Sequence, residues 1–250
     1  LTETNEKAEF SLYAGGSVGP ELDGTLARLG VIKRRFPYQS NRELVEQANK
    51  GLIDYQDIHL GIFPSIIRNG FLDDLCGPID TAIIEPIAIT EEGNIVPSVS
   101  VGSSSTFVDI AKQVVVEINT EQPTDLEGIH DIYHVGKPPS QPIPITKVDQ
   151  RVGLPYLKCD PKKIVAIVES NKIDTLGYTF SKPGEVEIKI ADNLIDFFNN
   201  EVSKGRMPKI LRPIEVGVGD ISNAVLSCLS NSGFKHLTAW TEAFQEGFLD

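Results

Sequence analysis

The sequence predicts an α/β fold in which helices pack against a parallel sheet. Runs of strand length that are rich in Val and Ile alternate with amphipathic runs of helix length along most of the 250 residues, which is typical of βαβ units. Hydrophobic residues make up 40% and charged residues 23% of the chain, as in ordinary globular proteins. The length exceeds that of a typical domain and falls short of two. We therefore expect one α/β domain and the beginning of a second.

The first half of the chain follows this pattern element by element. Strands are predicted at 10–13, 81–89 and 113–118, and helices at 20–30, 42–50 and 105–112. Ser40 and Glu43 have the spacing of a capping box, which predicts the start of the second helix. The predicted strands at 81–89 and 113–118 consist mostly of apolar and β-branched residues, which indicates burial on both faces.

The second half continues with a strand at 163–170, also predicted to be buried, and a long helix at 184–205. The helix has one apolar stripe, formed by Ile190, Leu194, Phe197, Phe198 and Val202. After Pro208 the strand–helix pattern starts again. We therefore predict a first domain at 1–207, lacking its N-terminal part, and the start of a second domain at 208–250. The chain begins without Met and stops inside a predicted helix, so we expect it to be part of a longer protein.

Charge and cysteine content exclude several classes of function. The net charge of −12 argues against nucleic acid, since phosphate binding needs a basic surface. No apolar run reaches the roughly 18 residues that a membrane span requires, so no membrane partner is expected. Three cysteines, few and far apart, fit a reducing compartment, and we expect the cytoplasm or the mitochondrial matrix. They are Cys76, Cys159 and Cys228.

A glycine loop and one carboxylate stand out near the end of the chain. A predicted strand at 214–216 runs into GVGD and a helix, and a second predicted strand at 234–240 ends just before Glu242. Carboxyl ends of neighbouring parallel strands share one edge of a sheet, where α/β proteins place their sites. Glycines let the backbone approach a ligand, and the free amides of a helix start suit a phosphate or an oxyanion. We therefore expect the loop and the carboxylate to face one crevice.

Three interpretations of this arrangement remain open on the residues alone. Glu242 could be an ordinary acid in the first turn of a helix, which gains a few tenths of a kcal/mol from the helix dipole. GVGDIS also resembles the dinucleotide fingerprint G-x-G-x-x-G, with Ser222 in place of the third glycine. The third interpretation is acyl chemistry, with the carboxylate as nucleophile and the loop amides as oxyanion donors.

Several strings resemble the class I CoA-transferase family, in particular its succinyl-CoA:acetate CoA-transferase and acetyl-CoA hydrolase group. The string GVGDISNAVLSCL, followed by FKHLTAWTEAFQEGFLD, is similar to the second half-site of that family. GGSVGPELDG, YQDIHLG, ITEEGNIVPSVSVGSS, LEGIHDIY and VDQRVGLP resemble other family segments in the same order. The resemblance implies two NagB-like α/β domains with the active site between them, and we expect a homodimer.

The resemblance also implies the chemistry and the residues that carry it. Glu242 would be the nucleophile that passes through a glutamyl-CoA thioester, and Ser17 would line the carboxylate subsite. The Val218 amide would donate to the oxyanion. A CoA-binding segment is implied at Gly217, Val218, Gly219, Asp220 and Ile221. Coenzyme A would be a substrate rather than a bound cofactor, and the partners would be acyl-CoA, with acetyl-CoA favoured, and short-chain carboxylates.

Some alternatives accompany this interpretation. A nicotinamide-dinucleotide-binding oxidoreductase domain and a non-catalytic acyl-CoA-binding fragment are kept as rival functions, and hydrolysis of acyl-CoA is expected if water reaches the intermediate. His130, Asp131 and His134 form H-D-x-x-H, but the flanking Pro and Gly argue against a helix, and we expect no metal site. Thr175 aligns with an arginine of the succinyl-CoA enzymes, which predicts an uncharged acyl chain.

Overall fold

The computed structural model describes residues 8–17, 19–147, 149–174, 180–242 and 244–248. The chain divides into two compact units, 1–177 and 178–250. Parallel sheets and helices together confirm the predicted α/β class. Across the described residues, the structure contains no helix of the length and apolarity that a membrane span needs.

The first unit contains the paired strands and the shorter helices. Its strands are β1 (Phe10–Tyr13), β2 (Ile32–Phe36), β3 (Asp54–Tyr55), β4 (Thr81–Ile84), β5 (Pro86–Ile89), β6 (Ile95–Pro97), β7 (Gln113–Asn119) and β8 (Ile164–Ser170). Its helices are α1 (Asp23–Leu29), α2 (Arg42–Asn49), α3 (Phe63–Arg68), α4 (Asp73–Cys76) and α5 (Ser104–Ile110). Among the described residues, β1–β2–β3 and β4–β7–β8 form parallel sheets in those orders, and β5–β6 is an antiparallel pair. The prediction of parallel sheets is therefore confirmed.

Helix α2 begins differently from the prediction. The N-cap is Asn41, whose Oδ1 accepts a hydrogen bond of 3.1 Å from the Leu44 amide. Glu43 does not reach back to Ser40, because its carboxylate pairs with Arg28 at 2.7 Å. The predicted capping box of Ser40 and Glu43 is therefore wrong, and the neighbouring asparagine satisfies the helix start instead.

The predicted strand at 81–89 is two strands in two different sheets. β4 pairs with β7, whereas β5 pairs with β6. Pro86 lacks an amide hydrogen and cannot extend the parallel ladder of β4, so the chain changes sheet at Glu85. The Glu85 carboxylate lies at the carboxyl end of β4, where it accepts hydrogen bonds from the side-chain amides of Asn119 and Gln122, at 3.4 and 3.3 Å. Partial burial raises the pKa of Glu85 above its ordinary value.

Burial of the second parallel sheet is one-sided, contrary to the prediction. Ala82, Ile84, Val114 and Val116 form its buried face together with Val108 of α5. Ile83, on the same strand as Ala82, is 69% exposed. The strand at 164–170 is mostly exposed as well, and among the described residues it is the edge strand of the sheet, paired with β7 alone. The prediction of strands buried on both faces is therefore wrong for this chain.

The second unit is built on two helices, α6 (Glu185–Ser203) and α7 (Asp220–Ser230). Buried and partly buried side chains of both helices share one cluster, which includes Ala191, Leu194, Phe198, Val202, Leu211, Val225 and Leu229. Of the predicted stripe of α6, Leu194, Phe198 and Val202 join this cluster. Ile190 and Phe197 do not, and they are 40% and 51% exposed, so the prediction is right for three of the five residues. Because α6 packs with α7, the compact unit starts before Pro208; the sequence domains at 1–207 and 208–250 stay a prediction.

The predicted strand at 234–240 is reduced to one isolated bridge, in which Ala239 pairs in parallel with Ile214. Gly233 and His236 have positive φ values of 85° and 57°, and these left-handed conformations interrupt an extended chain. The helix expected after Glu242 is a short 3-10 turn at Glu246–Phe248 in the part of the chain that is described.

Candidate functional site

The glycine loop and Glu242 leave the same bridge in the same direction. The Ile214 amide donates to the Thr238 carbonyl at 2.8 Å, and the Trp240 amide donates to the Ile214 carbonyl at 2.9 Å. Because the bridge is parallel, the chain after Ile214 and the chain after Trp240 emerge at one edge. The loop and the carboxylate thus follow two neighbouring, parallel segments within the second unit.

Side-chain hydrogen bonds join these two segments beyond the bridge. The Thr241 hydroxyl donates to the Val216 carbonyl at 3.1 Å. Gln245, only 4% exposed, donates from Nε2 to the Gly217 carbonyl at 2.9 Å and accepts at Oε1 from the Gly219 amide at 3.4 Å. The segment that carries Glu242 therefore holds the glycine loop at three backbone positions.

A further hydrogen bond attaches the end of the segment that carries Glu242 to α7. The Gly247 amide donates to the side-chain oxygen of Asn223 at 2.9 Å. A Cβ at Gly247 would lie 2.7 Å from the Leu226 Cβ, so only glycine allows this close approach. Gln245 and Asn223 were not predicted from the sequence, in which no local pattern distinguishes either amide side chain from its polar neighbours.

The start of α7 provides backbone donors beside the loop. The first hydrogen bond of the helix runs from the Asn223 amide to the Gly219 carbonyl at 3.0 Å. The amides of Asp220 and Ile221 therefore have no acceptor four residues earlier in the helix, as at every helix start. The Asp220 carboxylate accepts from the Ser181 amide at 3.0 Å. Such donors, at the positive end of a helix dipole, can stabilise an anion that comes close to the loop.

The Glu242 carboxylate and the Val218 amide are both accessible to a substrate. Glu242 is exposed, and among the described residues it forms no ion pair. Val218 has an exposed side chain, at 54%, and its amide has no acceptor within the described part of the chain. An exposed carboxylate beside backbone donors at a helix start forms a combination that can attack a carbonyl and stabilise the oxyanion that results.

Ser17 belongs to the first unit. Its amide donates to the Tyr38 carbonyl at 3.4 Å, and its carbonyl accepts from the Ser40 amide at 3.2 Å. These two bonds attach the first glycine loop to the segment that follows β2. The assignment of Ser17 to a carboxylate subsite stays a prediction, and Thr175 lies outside the described residues.

The H-D-x-x-H residues contact different parts of the first unit. The Asp131 carboxylate accepts from the Val152 amide at 3.1 Å, His130 Nε2 lies 2.5 Å from the Ser98 carbonyl, and His134 lies 3.6 Å from Asp109. Within the described part of the chain, no three His, Cys, Asp or Glu side chains lie close enough together to hold a metal ion. The geometry of these residues is that of loop anchors.

The first part of the chain matches a known protein family. The model of the acetyl-CoA hydrolase/transferase N-terminal domain matches residues 2–169, which is more than half of the chain. The match ends before the second glycine loop.

Curated relatives match nearly the whole chain. It is 44% identical to the succinyl-CoA:acetate CoA-transferase of Clostridium kluyveri over 246 residues, covering 98% of this chain and 45% of the relative. Identity to the acetyl-CoA hydrolase of Schizosaccharomyces pombe is 42%, covering 97% of this chain and 47% of the relative. The chain thus spans about half the length of the curated relatives it matches.

Solved structures with the same fold are more distant in sequence. A 4-hydroxybutyrate CoA-transferase from Porphyromonas gingivalis aligns with a TM-score of 0.56 at 19% identity, covering 97% of this chain and 52% of that one. RipA from Yersinia pestis aligns with a TM-score of 0.56 at 16% identity, covering 98% and 55%. These structures support the fold, at identities too low to carry a function.

Proposed function

This chain belongs to the acetyl-CoA hydrolase/transferase family, and we propose that the whole protein moves coenzyme A from a short-chain acyl-CoA to a carboxylate acceptor through Glu242. The supporting observation is the pair formed by Glu242 and the glycine loop, which leave one parallel bridge side by side and are held together by Thr241 and Gln245. The names of the relatives, a succinyl-CoA:acetate CoA-transferase and acetyl-CoA hydrolases, favour acetyl-CoA as a substrate.

The first step of the proposed reaction is attack by the Glu242 carboxylate on the thioester carbonyl of acyl-CoA. An oxygen–carbon bond forms, the carbon–sulfur bond breaks, and an acyl-glutamyl anhydride and CoA thiolate result. Because the carbonyl oxygen becomes an oxyanion during the attack, donors such as the Val218 amide and the start of α7 would stabilise the transition state. The exposure of Glu242 suits this role.

In the second step the CoA thiolate attacks the glutamyl carbonyl. A glutamyl-CoA thioester forms, and the original acyl group leaves as a free carboxylate. An acceptor carboxylate then reverses the two steps and departs as the new acyl-CoA, which gives ping-pong kinetics. Attack of water on the same thioester would release CoA and restore Glu242, so hydrolysis and transfer share one intermediate.

The segment from Gly217 to Ile221 is proposed to contact CoA, which enters as a substrate. A carboxylate is a weak nucleophile in water, so binding energy from the remote parts of CoA has to be used at the reacting carbonyl. Thr175 has no charge to pair with a second carboxylate, and we infer a preference for an uncharged acyl chain. The nicotinamide alternative has less support, since the third glycine of its fingerprint is Ser222.

Isotope exchange tests this function. The full-length protein is incubated with acetyl-CoA and labelled acetate, and incorporation of label into acetyl-CoA is followed with and without a second acceptor. We expect exchange with the wild type and with Glu215→Ala, a control that removes an exposed acid from the same strand segment. Glu242→Ala should abolish it. No exchange by the wild type, together with measurable NAD binding and no CoA binding, would instead support the dinucleotide alternative.

A further inference from the structure

Gln245 holds the backbone on both sides of Val218. Its Nε2 donates to the Gly217 carbonyl at 2.9 Å, and its Oε1 accepts from the Gly219 amide at 3.4 Å. One side chain therefore engages the peptide group before Val218 and the peptide group after it. With 4% exposure, Gln245 is nearly excluded from water, which would otherwise compete for both of its bonds.

The geometry of the peptide group relates this contact to the direction of the Val218 N–H. The Gly217 carbonyl and the Val218 N–H belong to the same planar peptide group, which is trans. In a trans peptide the C=O and N–H bonds point in opposite directions. When Gln245 fixes the Gly217 carbonyl on its own side, the Val218 N–H is directed to the opposite side of the loop, away from Gln245.

The same segment of chain also carries Glu242. Thr241, its direct neighbour, is bonded to the Val216 carbonyl, and Gln245 follows Glu242 by three residues. The position of the carboxylate and the direction of the Val218 N–H are thus set by one short segment bonded to one loop. Misplacement of either group by about 1 Å can lower a rate by about 100-fold.

We propose that Gln245 is a positioning residue that orients the Val218 amide towards the oxyanion formed at Glu242. This inference rests on the proposed function. Gln245 does not touch the reacting atoms; it acts through the Gly217–Val218 peptide. Loss of its donor should therefore lower the rate of chemical steps and leave the binding of acyl-CoA largely intact.

The first variant for the test is Gln245→Met, which keeps the length of the side chain and removes both hydrogen bonds. We expect kcat, and the single-turnover rate of thioester formation on Glu242, to fall about 10- to 100-fold. KM for acyl-CoA should change less than about threefold, because the lost interaction matters in the transition state. The matched control is Gln47→Met, the same substitution in α2, which removes a side-chain hydrogen bond to the Ala27 carbonyl at 2.7 Å and leaves the second unit untouched. We expect it to lower the melting temperature similarly while keeping kcat.

A second variant, Gln245→Glu, gives a readout that depends on pH. A protonated glutamic acid has the donor and the acceptor of glutamine, whereas the ionised form has no donor and repels the Gly217 carbonyl. The ratio of its kcat to that of the wild type should therefore rise as the pH is lowered from about 8 towards the range in which a buried glutamate protonates.

The outcomes separate this inference from the function on which it rests. If the wild type forms the adduct and Gln245→Met forms it at the same rate, the inference is wrong and the proposed function stands. Equal losses of kcat in Gln245→Met and Gln47→Met, or a Gln245→Glu ratio that is independent of pH, would show a merely structural role and overturn the inference. If the wild type forms no adduct on Glu242, the function and the inference fall together.

Discussion

The buried ion pair of Asp23 and Arg35 in the first unit predicts how much stability is lost when either partner is removed. Arg35 of β2 donates to both carboxylate oxygens of Asp23, from Nε at 2.7 Å and from Nη2 at 2.9 Å, and both side chains are 0% exposed. Arg35 also donates from Nη1 to the Phe36 carbonyl, which accepts the Ala14 amide at 3.0 Å. The pair therefore anchors the start of α1 and the point where β1 enters the first glycine loop.

Removal of one partner leaves an unpaired charge in a site without water. Such a change costs about 3–5 kcal/mol, so Asp23→Ala or Arg35→Met should each lower the melting temperature by about 6–20 °C in a protein of this size. The double variant buries no charge, and we expect its loss of stability to be smaller than the sum of the two single losses by about 1–3 kcal/mol. Asp80 and Lys112 form the matched surface pair at 2.6 Å, with side chains 74% and 63% exposed, and Lys112→Ala should cost no more than about 1 kcal/mol.

Scanning calorimetry of the four variants and the wild type measures these differences directly. The prediction holds if each buried single variant melts well below Lys112→Ala and the double variant recovers part of the loss. Equal melting temperatures for Arg35→Met and Lys112→Ala would refute it, because burial would then add nothing to the cost of losing an ion pair. Strict additivity of the two single losses would refute the coupling between the charges.

Two further stability predictions follow from the first unit. Asn41→Ala removes an N-cap and should lower the free energy of unfolding by about 0.5–2 kcal/mol, whereas Ser40→Ala should leave the melting temperature unchanged. An equal loss of stability in both variants would show that Ser40 caps the helix after all. Partial burial, with smaller contributions from neighbouring acids, raises the pKa of Glu85 in the folded state. The folded state therefore binds this proton more tightly than the unfolded state does. The free energy of unfolding should fall as the pH rises through the window between the two pKa values. Glu85→Gln should therefore raise the melting temperature above that window and lose the gain below it, and a gain of the same size at every pH would contradict this reasoning.

Periodicity and loop chemistry were enough to predict the α/β class and the main elements. The alternation of apolar and helical runs predicts the parallel sheets. The stripe of α6 packs on α7, because side chains of both helices contribute to the same buried cluster. Chain order also placed the glycine loop and Glu242 at the ends of neighbouring segments. These features depend on local sequence patterns, which can be identified in a single sequence.

The missed features depend on contacts or on competition between neighbours. Pro86 ends β4 inside a run that is mostly apolar, and Asn41 replaces Ser40 as the cap because Glu43 pairs with Arg28 instead. Gln245 lies 28 residues from the carbonyl that it binds. No periodicity in the sequence connects the two, so only the fold could reveal this contact.

The most direct test of the proposed mechanism is the mass of the protein after reaction with acyl-CoA in the absence of an acceptor. If Glu242 is the nucleophile, the full-length protein gains the mass of CoA less one water, the adduct maps to the peptide that contains TEAFQEGF, and hydroxylamine removes it. Glu242→Ala should form no adduct and should stay folded, because Glu242 is exposed and substitution of an exposed side chain changes stability by only about 0.5 kcal/mol. An adduct on another residue, or substantial transferase activity in Glu242→Ala, would contradict the mechanism.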